Sequence, residues 1–189
     1  MEQRFETMLV DQCAPTLAGV KPASLFRLGG LGRENLRRLV QRWDRRLAAK
    51  GIRVRILKEC PRTDAAMIYV YRADRLAKLL AEPENRAFLL ERMGYRNGGT
   101  EELLEQLSYR LCLEEDYPHE IGVFLGYPLE DVVGFIDNRG WNYTCCGYWK
   151  AYGDPRAAQK RFACYRSCTD QYRRMYDRGI PVMGLAVAA

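Results

Sequence analysis

The sequence is poor in the features that most directly announce a function. No stretch approaches the roughly 18 consecutive apolar residues of a membrane helix, so no membrane partner is expected. No GxSxG nucleophile elbow is present, which removes the simplest hydrolase reading. RLGGLGREN places Gly29, Gly30 and Gly32 ahead of a helix. It contains neither GxGxxG nor the Lys-Ser/Thr ending of a phosphate loop, and reads as a flexible helix lead-in. Histidine occurs once, at His119. Internal repeats and low-complexity segments are missing. The N-terminal segment MEQRFETMLVDQ lacks the apolar run of a secretory signal, so the expected location is cytoplasmic.

What is present fits one globular domain over residues 1–189, since a chain that is 48% hydrophobic and 11% aromatic can bury a core without staples. The seven cysteines are scattered, unlike a secreted disulfide framework, and reduced thiols are expected. The net charge of +6 favours an anionic partner only if it is gathered on one face. Much of it lies in GRENLRRLVQRWDRRLAAK, where Arg33, Arg37, Arg38, Arg42, Arg45 and Arg46 alternate with Leu36, Leu39, Val40, Trp43 and Leu47. That spacing is an amphipathic helix ended at Gly51. Glu34 and Asp44 interrupt its basic face, so a solvated surface is the better reading than nucleic-acid binding.

Residues 2–19 read as a short helix and Ser24 to Leu28 as a strand. GIRVRILKEC alternates Ile52, Val54 and Ile56 with Arg53, Arg55 and Leu57; AAMIYVYR follows after CPRTD, which makes a hairpin near 52–71. Helices are then expected from ADRLAKLLA, ENRAFLLERM, the Thr100-capped segment burying Leu103, Leu104, Leu107, Leu111 and Cys112, and PLEDVVGFIDNRG. Tyr143 to Tyr152 reads as a further strand, and Asp154-Pro155 opens a long helix running to Gly179. The tail IPVMGLAVAA is compatible with a docked strand or a loose end. Helices flank strands that do not alternate β–α–β, so the fold class is α+β with a small, mainly antiparallel sheet.

The thiols invite a metal reading that their spacing does not favour. Adjacent Cys145 and Cys146 on a strand face opposite ways, and Cys164 and Cys168 flank an aromatic helix stripe, so small buried hydrophobes describe them better than thiolate ligands. Cys60-Pro61 resembles the dipeptide of haem-responsive sites, but a turn between strands accounts for the proline. The cofactor stays unknown. His119, amid Glu114, Glu115, Asp116 and Glu120, is a candidate acid/base or ligand-binding group; closing a turn is its bland alternative.

CAPTLAGVKPASLF (Cys13 to Phe26), PHEIGVFLGYPLEDVVGFI (Pro118 to Ile136) and NYTCCGYWKAYGD (Asn142 to Asp154) resemble, in the same order, the uncharacterised family of anaerobic Gram-positive bacteria numbered 3793 among domains of unknown function. The family brings no activity. The resemblance implies a link to iron or redox physiology, and with it a redox partner protein as an alternative to a small ligand. It also implies that the second and third blocks meet, gathering His119, Glu120, Tyr127, Tyr148 and Trp149 around an aromatic cleft, with Cys13 of the first block as a further neighbour. Such a cleft suits a small planar or anionic ligand. The alternative is an enzyme with His119 as acid/base and Cys13 or Cys146 as nucleophile. The oligomeric state stays open.

Overall fold

The structure, a computed structural model, describes residues 2–113 and 117–188. Three strands form its main sheet: β1 (Ala23–Gly29), β2 (Ile52–Cys60) and β3 (Ala65–Arg72), ordered β1-β3-β2 with both pairings antiparallel. β2 and β3 are the expected hairpin, joined by a single 3-10 turn at Pro61–Thr63 and by Asp64 in the left-handed region. Glu114, Glu115 and Asp116, which the sequence sets beside His119, lie outside the described residues.

Helices cover both faces of this sheet, which explains why the central strand is apolar almost throughout. Ala66, Ile68 and Val70 of β3 face one core, shared with Phe26, Leu28, Ile52 and Val54 and closed by α1 (Glu2–Leu17) and α2 (Arg33–Ala48). Met67, Tyr69 and Tyr71 face a second core beneath α3 (Ala73–Ala81), α4 (Pro83–Ala87) with its π-helical continuation Phe88–Arg92, and α5 (Thr100–Leu113). Leu57 shares the face of Arg53 and Arg55, across from Tyr71 and Tyr69, and alone of the three is buried in this second core; a bulge between Ile56 and Lys58 follows and pairs Lys58 with Met67. Cys112 is exposed, one position beyond the buried side of α5 that ends at Leu111.

Beyond α5 come α6 (Ile121–Phe124) and α7 (Leu129–Asp137), then α8 (Pro155–Asp177) with Asp154 capping the Arg156 amide at 2.8 Å. Two further expectations change. Residues 143–152 do not form one strand but a two-stranded ribbon, β4 (Cys145–Cys146) against β5 (Lys150–Ala151), because the chain reverses at Gly147 and Tyr148. Gly147 lies against the Phe162 ring so closely that a Cβ would stand 2.3 Å from it. The tail is neither strand nor loose end. It forms α9 (Val182–Leu185), buries Val182 and Leu185 in the first core, and donates the Val187 amide to the Leu17 carbonyl at 3.0 Å.

Candidate functional site

The segment from Tyr117 to Pro128 is a shaped connection held from several sides. The Ile121 amide donates to the Pro118 carbonyl and the Gly122 amide to that of His119, which starts α6. Tyr69 of the sheet donates its hydroxyl to the Phe124 carbonyl. Gly126 has φ +73, and a Cβ there would stand 2.3 Å from Cγ of Pro22, so this turn needs glycine twice over. Tyr127 and Pro128 then lead directly into α7.

The ribbon is tied to α7 through one carboxylate. Asp131, only 4% exposed, accepts from Trp149 Nε1 at 2.7 Å, from the Tyr152 amide at 2.6 Å and from the Gly153 amide at 3.0 Å. These bonds hold the Trp149 ring stacked on that of Tyr127, with centroids 4.7 Å apart and planes inclined by 23°, and edge-on to Phe162 at 4.5 Å. Between ribbon, α7 and the Tyr117–Pro128 segment lies a cavity of about 280 Å³, walled by Tyr127, Phe135, Trp149 and the backbone of Gly122.

His119 is at its mouth. Its ring leans on Phe135, centroid to centroid 4.7 Å, and lies 6.0 Å from Tyr117. Among the described residues its imidazole makes no hydrogen bond, and both ring nitrogens are available to a ligand. Cys146 and Tyr148 line the same cavity, so five of the residues marked by the sequence converge here: His119, Tyr127, Cys146, Tyr148 and Trp149.

Two do not. Glu120 is 1% exposed and turned inward, where it accepts from Tyr95 at 3.1 Å and from Arg110 at 3.0 Å; it joins α5 to the loop after the π-helical turn. Cys13 belongs to the first core. It falls between Leu9 and Leu17 at four-residue steps on the inner side of α1, is 0% exposed, and burial pushes its thiol far above the ordinary cysteine range. The thiol form prevails there at neutral pH, so the nucleophile reading loses Cys13.

Sequence reasoning missed Asp131 and undervalued Phe135. An acid in the first turn of a helix reads as a complement to the helix dipole, and nothing local signals that Asp131 serves a ribbon some 20 residues on. Phe135 counts as core by helical spacing, yet it is half-buried and carries the His119 ring.

A family described as "Protein of unknown function (DUF3793)" matches residues 9–186. The chain belongs to this family. The match covers all three sequence blocks and both walls of the cavity. No curated protein and no solved structure matches the chain. Among the described residues no helix is long and apolar enough to cross a membrane, and no group of three or more His, Cys, Asp or Glu side chains is placed to hold a metal ion.

Proposed function

We propose that this member of the family is a cytoplasmic, non-catalytic accessory protein that binds a small, flat, mostly apolar ligand in the His119 cavity. The observation that carries the reading is the pairing of an aromatic-walled cavity with one imidazole that has no hydrogen bond of its own. Its volume of about 280 Å³ lies just below the ~300–1,000 Å³ common for ligand pockets, which suits one or two fused rings. The stacked Tyr127–Trp149 pair and Phe135 offer ring faces, and His119 offers one polar contact at the rim. The iron or redox setting implied by the family resemblance is compatible with a ring system of that size.

The acid/base machinery an enzyme would need is engaged elsewhere. Asp131 has its oxygens filled by three N–H groups, Glu120 is held by Tyr95 and Arg110, and among the described residues no hydrogen bond links His119 to Cys146. Nucleic-acid binding loses support for a similar reason. Arg37 makes a two-pronged pair with Glu59 at 2.6 and 2.8 Å, Arg38 pairs with Glu34, and Arg42 and Arg46 share Glu2 at 3.0 and 2.9 Å. Much of the positive charge on α2 is met within the protein.

The single histidine makes the test simple, because its imidazole Cε1–H gives one resonance. Titrating the protein with indole, quinoline and 2-naphthol should shift that resonance saturably for at least one probe. Tyr127→Leu should weaken the same probe at least fivefold. No saturable shift with any of the three would reject the reading.

A further inference from the structure

A second cavity, of about 200 Å³, lies on the other side of Tyr127 and Tyr148 in the crevice between α1 and α8. Lys21 reaches into it. Its backbone amide is fixed by the Pro15 carbonyl at 2.9 Å, where α1 ends, and the residue is only 7% exposed. Its ammonium stands over two ring faces, 5.3 Å from the centroid of Tyr127 and 5.8 Å from that of Tyr165.

Among the described residues no carboxylate pairs with it. Asp11 at the rim is bound to Arg173 at 2.6 Å, and Ser24 nearby is bonded to Thr16 at 2.9 Å. The other polar groups lining the cavity include several that can donate to an anion. The hydroxyls of Tyr127, Tyr148 and Tyr165 and the side-chain amide of Gln12 make no hydrogen bond with the described residues. Buried charges are usually paired, and ring faces replace the lost hydration of an ammonium only in part. A lysine in this setting, beside hydroxyls and an amide free to donate, is costly for the fold and well arranged for an anion.

We propose that this cavity is a binding site for a small monoanionic carboxylate, with Lys21 as its counter-charge. One ammonium matches one negative charge. A dianion such as phosphate would bring a second charge with no cation to meet it and with the Asp11 carboxylate at the rim. The site is separate from the His119 cavity and does not depend on the reading given to it.

The pH dependence has a definite sign. Burial pushes the Lys21 ammonium down to about 8. The carboxylate binds the ammonium form, so affinity is greatest below that pH and falls above it. Of the groups facing Lys21, Cys13 on α1 and Tyr127 and Tyr165 across the cavity are all pushed up by burial, which leaves them neutral in this range. Asp11 on α1 is held by Arg173, and Tyr148 completes the set.

The test uses the full chain labelled with 13C at lysine Cε, titrated separately with acetate, benzoate and inorganic phosphate. Acetate or benzoate should shift the Lys21 signal saturably, bind at least tenfold more weakly at pH 9.5 than at pH 7.5, and lose at least tenfold in affinity in Lys21→Met, followed there through backbone amides around the cavity. Tyr165→Phe, which keeps the charge and removes one donor, should weaken the carboxylate about threefold and provides a reading should Lys21→Met fail to fold. Absence of a saturable shift with either carboxylate, or affinity unchanged across that pH range, overturns the site. Tighter binding of phosphate than of either carboxylate overturns the monoanion assignment.

Discussion

Asp131 and Lys21 are both buried charges, 4% and 7% exposed, on opposite sides of the wall made by Tyr127 and Tyr148, yet their surroundings differ in kind. Asp131 accepts from three N–H groups and organises the ribbon, whereas Lys21 meets ring faces and no counter-charge among the described residues. Burial alone therefore does not separate structural from functional charge; what separates them is whether the fold has already met the group's hydrogen-bonding capacity. Substitutions at the two kinds of site should move stability in opposite directions.

The largest effect is expected at Asp131. Asp131→Ala leaves the Trp149 indole N–H and two backbone amides without an acceptor and unties β4–β5 from α7, a loss of about 3–5 kcal/mol in urea unfolding. A loss below about 1 kcal/mol would mean that water replaces the carboxylate and that the ribbon is held by ring packing alone. Glu120→Ala follows at about 2–3 kcal/mol, since it removes a buried carboxylate that accepts from both Arg110 and Tyr95. Glu120→Gln should recover part of that loss by restoring an acceptor for the Tyr95 hydroxyl.

Lys21→Met should act the other way and raise stability by about 2–3 kcal/mol at pH 7, because the thioether fills the same space without a charge to desolvate. The ammonium has its ordinary value of 10.5 in the unfolded chain and about 8 in the fold, so between those values the unfolded state carries more protons. Stability attributable to Lys21 then rises with pH through that window, as neutralisation relieves the cost of burial. The advantage of Lys21→Met over the parent protein should accordingly shrink by about 1 kcal/mol between pH 7 and pH 9. A destabilised Lys21→Met at both pH values would show that the amine is satisfied within the fold, and the contrast with Asp131 would fail.

The sheet and the longer helices were legible because their spacing is local. Ile52, Val54 and Ile56 alternate, Leu36 to Trp43 recur at helical steps, and Asp154-Pro155 marks a helix start without help from the rest of the chain. The ribbon was not legible, since its reversal at Gly147 answers to the Phe162 ring across α8, a partner outside any local window. Of the cleft, five residues could be named because the two sequence blocks that hold them fold together. Glu120 was misplaced for the same reason as the ribbon: its partners Tyr95 and Arg110 lie 25 and 10 residues back in the chain. Cys13 is a different case. Its spacing from Leu9 and Leu17 already spoke for the core, and family resemblance drew it toward the cleft. Lys21 gave no periodic signal, because what distinguishes it is the absence of a partner, and that is visible only when every neighbour is in place.

The smallest effect is expected at His119, and it bears most directly on the sequence's one histidine. The ring is exposed, makes no hydrogen bond with the described residues and touches mainly Phe135 and Tyr117, so His119→Ala removes contacts at a cavity mouth and orphans nothing. Stability should change by less than about 1 kcal/mol. The turn that precedes α6 uses the His119 carbonyl rather than its ring, and alanine keeps that carbonyl. A loss above about 2 kcal/mol would make the imidazole a structural strut and move His119 into the class of Asp131. A neutral result leaves a side chain at the entrance of an aromatic cavity that the fold does not need, which is what a group kept for a ligand should look like.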